Sequence, residues 1–375
     1  MDHSSPDGVS GARRSPDCFS PDDALPPVEA PSAGFIVQLF VVPGVIVTII
    51  VLIWLAFNWL AQMGNDPQSY VDAIQRNNEG RWQAAVNLAN ALNNEKGPGF
   101  QELRRNRKVV QDLSAVLEKE IDGRDMEEKP VTFRMFLCRA LGSFEVPDGL
   151  PALLKAVSTN RDEKESVVRR SALESIALLA ENVRTADPGQ PLADPQLNRT
   201  LLAAASEEDP LIRSSAAYAM GVVGGEPLLA RLRVLVADAH ADVRYNAATG
   251  LARHGDLAAA ETLIEMLDPD EDAGVKIEEA EGRTFKRALI QFNALRAIAA
   301  LRKANPRIDG RQFVAPINKL LKSEKSDLPS NVKLEAKSVL QSLSGQLNTE
   351  AQSSQRRRPV TSVASASQCF KSAFA

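Results

Sequence analysis

Two stretches in the middle of the chain carry nearly the same order of apolar and polar positions. One is DPLIRSSAAYAMGVVGGEPLLARLRVLVAD, starting at Asp209, and the other is ADVRYNAATGLARHGDLAAAETLIEMLD, starting at Ala241. Ile212 matches Val243, Arg213 matches Arg244, Ala216 matches Ala247 and Met220 matches Leu251, at an offset of 31 residues. Within the second stretch Val243, Ala247, Gly250 and Leu251 fall at i, i+4, i+7 and i+8, which is one stripe of an α-helix. Small residues on that stripe let a neighbouring helix come close. A glycine turn follows each first helix, Gly224-Gly225 in one case and Gly255 in the other, and then a second apolar helix containing Leu263, Ile264, Met266 and Leu267. One helical pair cannot bury its own apolar face, whereas stacked pairs share a continuous core.

The core of the pattern recurs along the chain. Phe133-Arg134 leads to Leu137, Val168-Arg169 to Ala172, Ile290-Gln291 to Ala294 and Val332-Lys333 to Ala336. This predicts an all-α solenoid of about five to six repeats over residues 126–345. With Asp209, Ile212 and Arg213 standing as D-x-x-(V/I)-R, and Asp242, Val243 and Arg244 as its shortened form, the array resembles HEAT repeats of the short bacterial kind. The resemblance implies a scaffold with first helices on the convex face and second helices on a concave, partner-binding face. On that expectation the outward residues of two second helices, Arg231 with Arg233 and Glu261 with Glu265, are the candidate partner contacts. Arg169, Arg213 and Arg244 are read as structural, each in an ion pair inside its own repeat with an acid at the first turn.

Outside the repeats the pattern changes twice. Residues 1–33 are rich in Ser, Pro and Asp without apolar periodicity, which predicts a disordered acidic tail. No charged residue then occurs between Glu29 and Asp66, and residues 34–63 form one long apolar run. About 20 such residues cross a bilayer core, so this segment reads as a single transmembrane helix. Trp54 and Trp59 lie near its far end as interface anchors, and Pro43-Gly44 is placed to kink it. The tail offers only Arg13 and Arg14, far from the run, while Arg76 and Arg81 follow it closely, so the repeats are expected on the cytoplasmic side. Residues 64–125 read as a polar helical cap on the array, and residues 346–375 as a disordered tail containing Arg356, Arg357 and Arg358. That tail arginine cluster is a weak candidate for touching anionic lipid. An anchor followed by such repeats resembles membrane-anchored bacterial HEAT-repeat proteins.

Composition narrows the chemistry. A net charge of −4 argues against a nucleic-acid binder. Cys18, Cys138 and Cys369 show neither zinc spacing nor a disulfide framework. Two insertions, 181–198 and the acidic 268–281, read as solvated loops. No phosphate-binding loop, dinucleotide motif or nucleophile elbow is present. HEAT-repeat hydroxylases hold iron through repeated His-Glu pairs, but His3, His240 and His254 are each followed by another residue type. The expectation is therefore a membrane-tethered binding scaffold for a protein partner, not an enzyme, with no metal and no cofactor. The alternatives are a lyase-like or chaperone-like modification factor and a fixed subunit of a membrane complex.

Overall fold

The computed structural model describes residues 32–63, 67–76, 80–94, 97–189, 191–323 and 328–356. The expected disorder of residues 1–31 and 357–375 lies outside these. The chain divides into two compact units, Met1–Asn65 and Asp66–Ala375.

The first unit is the apolar segment. Helix α1 (Ala33–Ile36) passes through a five-residue π-turn, Val37–Val41, into α2 (Val42–Met63). The wide turn sits directly before Pro43, whose missing N–H and bulky ring disrupt the regular i→i−4 ladder. So the irregularity expected at Pro43 is a π-turn just ahead of it. Val37–Phe57 has a mean hydropathy of 2.9 and none of it is buried, with Phe40, Trp54 and Phe57 all more than 60% exposed. By length and composition it is a candidate membrane span.

The second unit is helical throughout its described residues. Helices α3 (Pro67–Gln75), α4 (Arg81–Asn94), α5 (Pro98–Arg104) and α6 (Arg107–Asp122) come first. Five helical pairs follow: α7 (Glu128–Gly142) with α8 (Leu150–Ser158), α9 (Glu165–Ala186) with α10 (Leu197–Ala204), and α11 (Pro210–Val223) with α12 (Glu226–Leu235). The remaining two are α13 (Ala241–Arg253) with α14 (Ala260–Leu267) and α15 (Ala280–Ala304) with α16 (Arg311–Lys322), after which α17 (Ser330–Arg356) closes the array. First helices form one layer, each packed on the next in the order α4, α7, α9, α11, α13, α15, α17. Second helices lie in the other layer, α6 against α8, α8 against α10 and α14 against α16. Because α4 and α6 enter these layers, the expected cap region continues the array.

The close approach read from the small stripe residues is explicit. A Cβ built on Gly221 of α11 would stand 2.5 Å from Cα of Gly250 on α13, so the two backbones touch through their glycines. Around that contact Ala216, Ala217, Met220, Val243, Ala247 and Leu251 are fully buried. The turn glycines have the positive φ that L-residues resist, 77° at Gly224, 94° at Gly225 and 73° at Gly255. Helix starts are set by short polar caps. Asp209 accepts from the Leu211 N–H at 2.8 Å with Pro210 beside it, and Asn106 accepts from the Val109 N–H at 3.2 Å.

Three stretches differ from expectation. Residues 181–186 continue α9 and are not loop, because Val183 belongs to its buried stripe. The acidic stretch after α14 is irregular as expected, but Val275 is buried within it and Asp268 accepts from Lys319 of α16 at 2.7 Å. Residues 346–356 extend α17 and are helical.

Candidate functional site

The repeat arginines build the frame on which any site rests. Arg169 donates to the Val157 carbonyl at the end of α8 (2.8 Å) and to Glu207 just after α10. Arg213 donates to the Glu207 and Glu208 carbonyls (2.9 and 2.8 Å) and, through a two-pronged contact of 2.9 and 3.0 Å, to Asp238 beyond α12. Arg244 donates to the Asp238 carbonyl (2.9 Å) and to Glu265 in α14. Each arginine thus clips the C-terminal end of the preceding second helix to the acid at the end of its own. A cation there meets both free carbonyls and the negative end of the helix dipole. The carboxylate partners come from the far end of the repeat, not from the first turn as the sequence reading placed them. The bond to Asp238 raises the pKa of Arg213 above its ordinary value. Burial pushes the Asp238 carboxyl up, but the Arg213 bond, the His240 backbone N–H and the nearby positive charge together outweigh it and hold the group below the usual carboxylate range. In the first pair Arg134 fills this position with its side chain fully buried, donating to the Glu120 and Asp125 carbonyls, and burial lowers its pKa.

The four residues expected on the second-helix face are mostly occupied by the array itself. Arg231 donates to the Ala205 carbonyl at 2.8 Å. Arg233 pairs with Asp256 and Glu226, both at 2.6 Å. Glu265 is the partner of Arg244 and also accepts from the Tyr245 hydroxyl at 3.1 Å. Glu261 is exposed and has no polar partner among the described residues.

A groove of about 680 Å³ opens instead on the first-helix layer. It crosses α9, α11, α13 and α15, each of which contributes one outward stripe. From α9 come Arg170, Glu174 and Leu178, and from α11 come Leu211, Ser214, Ser215 and Tyr218. From α13 come Asp242, Tyr245, Asn246 and Thr249, and from α15 come Lys286, Leu289, Ile290 and Asn293. Leu211, Tyr218 and Leu289 are 42–49% exposed, a large apolar area for solvent-facing helix positions. The floor is held by Asn246, which donates to the Ser214 hydroxyl at 2.9 Å, and by Ser214, which donates to the Asp242 carbonyl at 3.2 Å. Lys286 bonds Asp242 and Glu278, both at 3.2 Å, so those charges are balanced at the rim. Arg170 has no polar partner among the described residues, although its Nε is buried.

The sequence did hold a signal for this face. The position just before each β-branched residue of the repeat pattern, buried Val168, Ile212 and Val243 and partly buried Ile290, is Val167, Leu211, Asp242 and Leu289 on successive first helices. Three of the four are apolar and exposed. Attention to the buried stripe hid its neighbour.

The comparisons with known proteins follow this geometry. Residues 198–282, covering α10 to the first turn of α15, match the family of HEAT repeats. This stretch of the chain therefore carries HEAT repeats. No curated protein matches the chain. Among solved structures, human deoxyhypusine hydroxylase in complex with glycerol is similar at 14% identity and a TM-score of 0.30, over 76% of this chain and 99% of that one. An engineered protein is similar at 15% identity and a TM-score of 0.32, over 75% and 97% of the two chains. Similarity this low carries no functional argument. Among the described residues, the two histidines do not form an iron site. His254 is committed to the Gly221 carbonyl at 2.9 Å beneath the Gly224 turn, and His240 lies 3.3 Å from Arg213. Cys138 is fully buried, and burial pushes its thiol up to about 12, far from a reactive thiolate.

Proposed function

We propose that this chain is a membrane-tethered scaffold that holds a protein segment in the groove across α9, α11, α13 and α15. The observation that carries the reading is the groove itself, walled by half-exposed Leu211, Tyr218 and Leu289 on helices fixed by buried packing. A wall that is ordered before binding spares the partner part of the usual ordering cost. Apolar anchors with a few placed polar groups are what a peptide site needs. The tether is the apolar helix Val37–Phe57, and the basic residues Arg76 and Arg81 that follow it support a cytoplasmic placement of the repeats. The reading assigns no catalytic step.

The second-helix face is the weaker site, since Arg231, Arg233 and Glu265 already serve internal contacts. Photo-crosslinking in native membranes separates the two faces. A benzoylphenylalanine replacing Tyr218 is expected to give a discrete crosslinked protein band, and the same group replacing Glu261 none. The reverse result moves the site to the second helices. No band from either position removes the scaffold reading.

A further inference from the structure

We propose that the groove takes an extended peptide segment bearing an Asp or Glu side chain, and that this carboxylate pairs with Arg170. The inference rests on the groove being the binding site and names what it selects. Its starting point is the contrast between Arg170 and the arginines around it. Arg169, Arg213 and Arg244 each end on a carboxylate of this chain, and Arg161 on Glu165. Arg170, next in sequence to Arg169 and turned to the groove, ends on none among the described residues. Glu174 lies one turn along the same helix without forming an ion pair with it, and is itself exposed. Lys286, the other cation of the wall, is already shared between Asp242 and Glu278. Arg170 is therefore the one uncompensated cation in the described wall. With its Nε shut off from water, the guanidinium of Arg170 can meet an incoming group only through its Nη edge, whose paired N–H donors favour a planar two-oxygen acceptor.

Length and polarity shape the rest of the occupant. Four helices at about 8–10 Å spacing are crossed in about 30 Å, which an extended chain covers with about nine residues. Starting at Arg170 on α9, such a segment passes Leu211 and Tyr218 of α11 and reaches Leu289 of α15. Its acid is thus expected near one end and its apolar side chains in the middle and at the other end.

A displayed library of random 12-residue peptides, selected on the full chain in detergent micelles, tests this. Enriched peptides are then measured by fluorescence anisotropy on the parent chain and on Tyr218→Ala, Arg170→Gln and Arg170→Glu, each checked for unchanged helicity and unfolding temperature. The expected result is enrichment of an Asp or Glu several residues from apolar positions. Affinity should fall about tenfold or more with Arg170→Gln, and equally when the peptide acid becomes its amide. Binding should return when Arg170→Glu meets a peptide with Lys in place of the acid. Peptides that lose affinity with Tyr218→Ala but ignore Arg170 overturn the carboxylate assignment and leave the groove standing. Peptides indifferent to both positions, or no enrichment at all, overturn the groove and the assignment together.

Discussion

At the residue scale the array is held by two kinds of position, and each makes a prediction. Val243 is fully buried where α13 packs on its neighbours. Val243→Asp places an unpaired charge there, and the expected loss is about 3–5 kcal/mol. Thermal unfolding of the full chain in detergent measures it, and an unchanged midpoint would mean that this helix face is wrongly assigned. The second kind is the arginine clip. Asp238 has its pKa depressed because the Arg213 bond, the His240 backbone N–H and the nearby positive charge together outweigh the cost of its burial. A depressed carboxylate contributes stability that is full above the unfolded value of about 3.9 and is lost as pH falls through the lower folded value. The parent chain should therefore be more stable than Asp238→Asn at pH 6, and the gap should close towards pH 3. Denaturant unfolding at the two pH values checks the sign. A gap that widens in acid would contradict it.

At the element scale the repeated helical pair was legible because it obeys one short rule. A β-branched or aromatic residue, a polar one and an Ala or Leu four positions after the first recur, and glycines stand where φ must be positive. What the pattern could not show is which second-helix acid answers each arginine. Asp238 and Glu265 lie 25 and 21 residues downstream of Arg213 and Arg244, beyond any helical period. The internal contacts on the second-helix face escaped the sequence pattern for a related reason. Arg231 and Arg233 look variable and outward in the sequence, but folding brings them to the Ala205 carbonyl and to Asp256, which also caps the turn into the next second helix. Reversing both charges should consequently lower the unfolding temperature, by an amount set by the lost carbonyl bond and by repulsion at Asp256. Partner binding at the groove should survive at temperatures where the variant is folded. If the reversal removes binding and leaves the unfolding temperature alone, the second-helix face regains its claim.

At the scale of the whole molecule the question is how the two units serve one another, and the membrane reading answers it. Val37–Phe57 is apolar enough to span, and its side chains are exposed over its whole length, which water would oppose and lipid accepts. A core helix of a water-soluble domain would have most of that surface covered. The chain is therefore expected to stay with membranes after carbonate washing and to need detergent for release. Full recovery in the soluble fraction would remove the tether from the proposed function. The expectation for sidedness comes from the basic residues after the apolar run. Arg76 and Arg81 lie within about 20 residues of Met63, the window in which positive charge acts, whereas the preceding tail has only Arg13 and Arg14. The repeats should then face the cytoplasm. Alkaline phosphatase, active only outside the cytoplasm, should be silent when fused at the C-terminal end, and green fluorescent protein at the same point should fluoresce. An active phosphatase with a dark fluorescent fusion would place the groove on the opposite side, where a carboxylate-bearing segment would have to come from an exported partner.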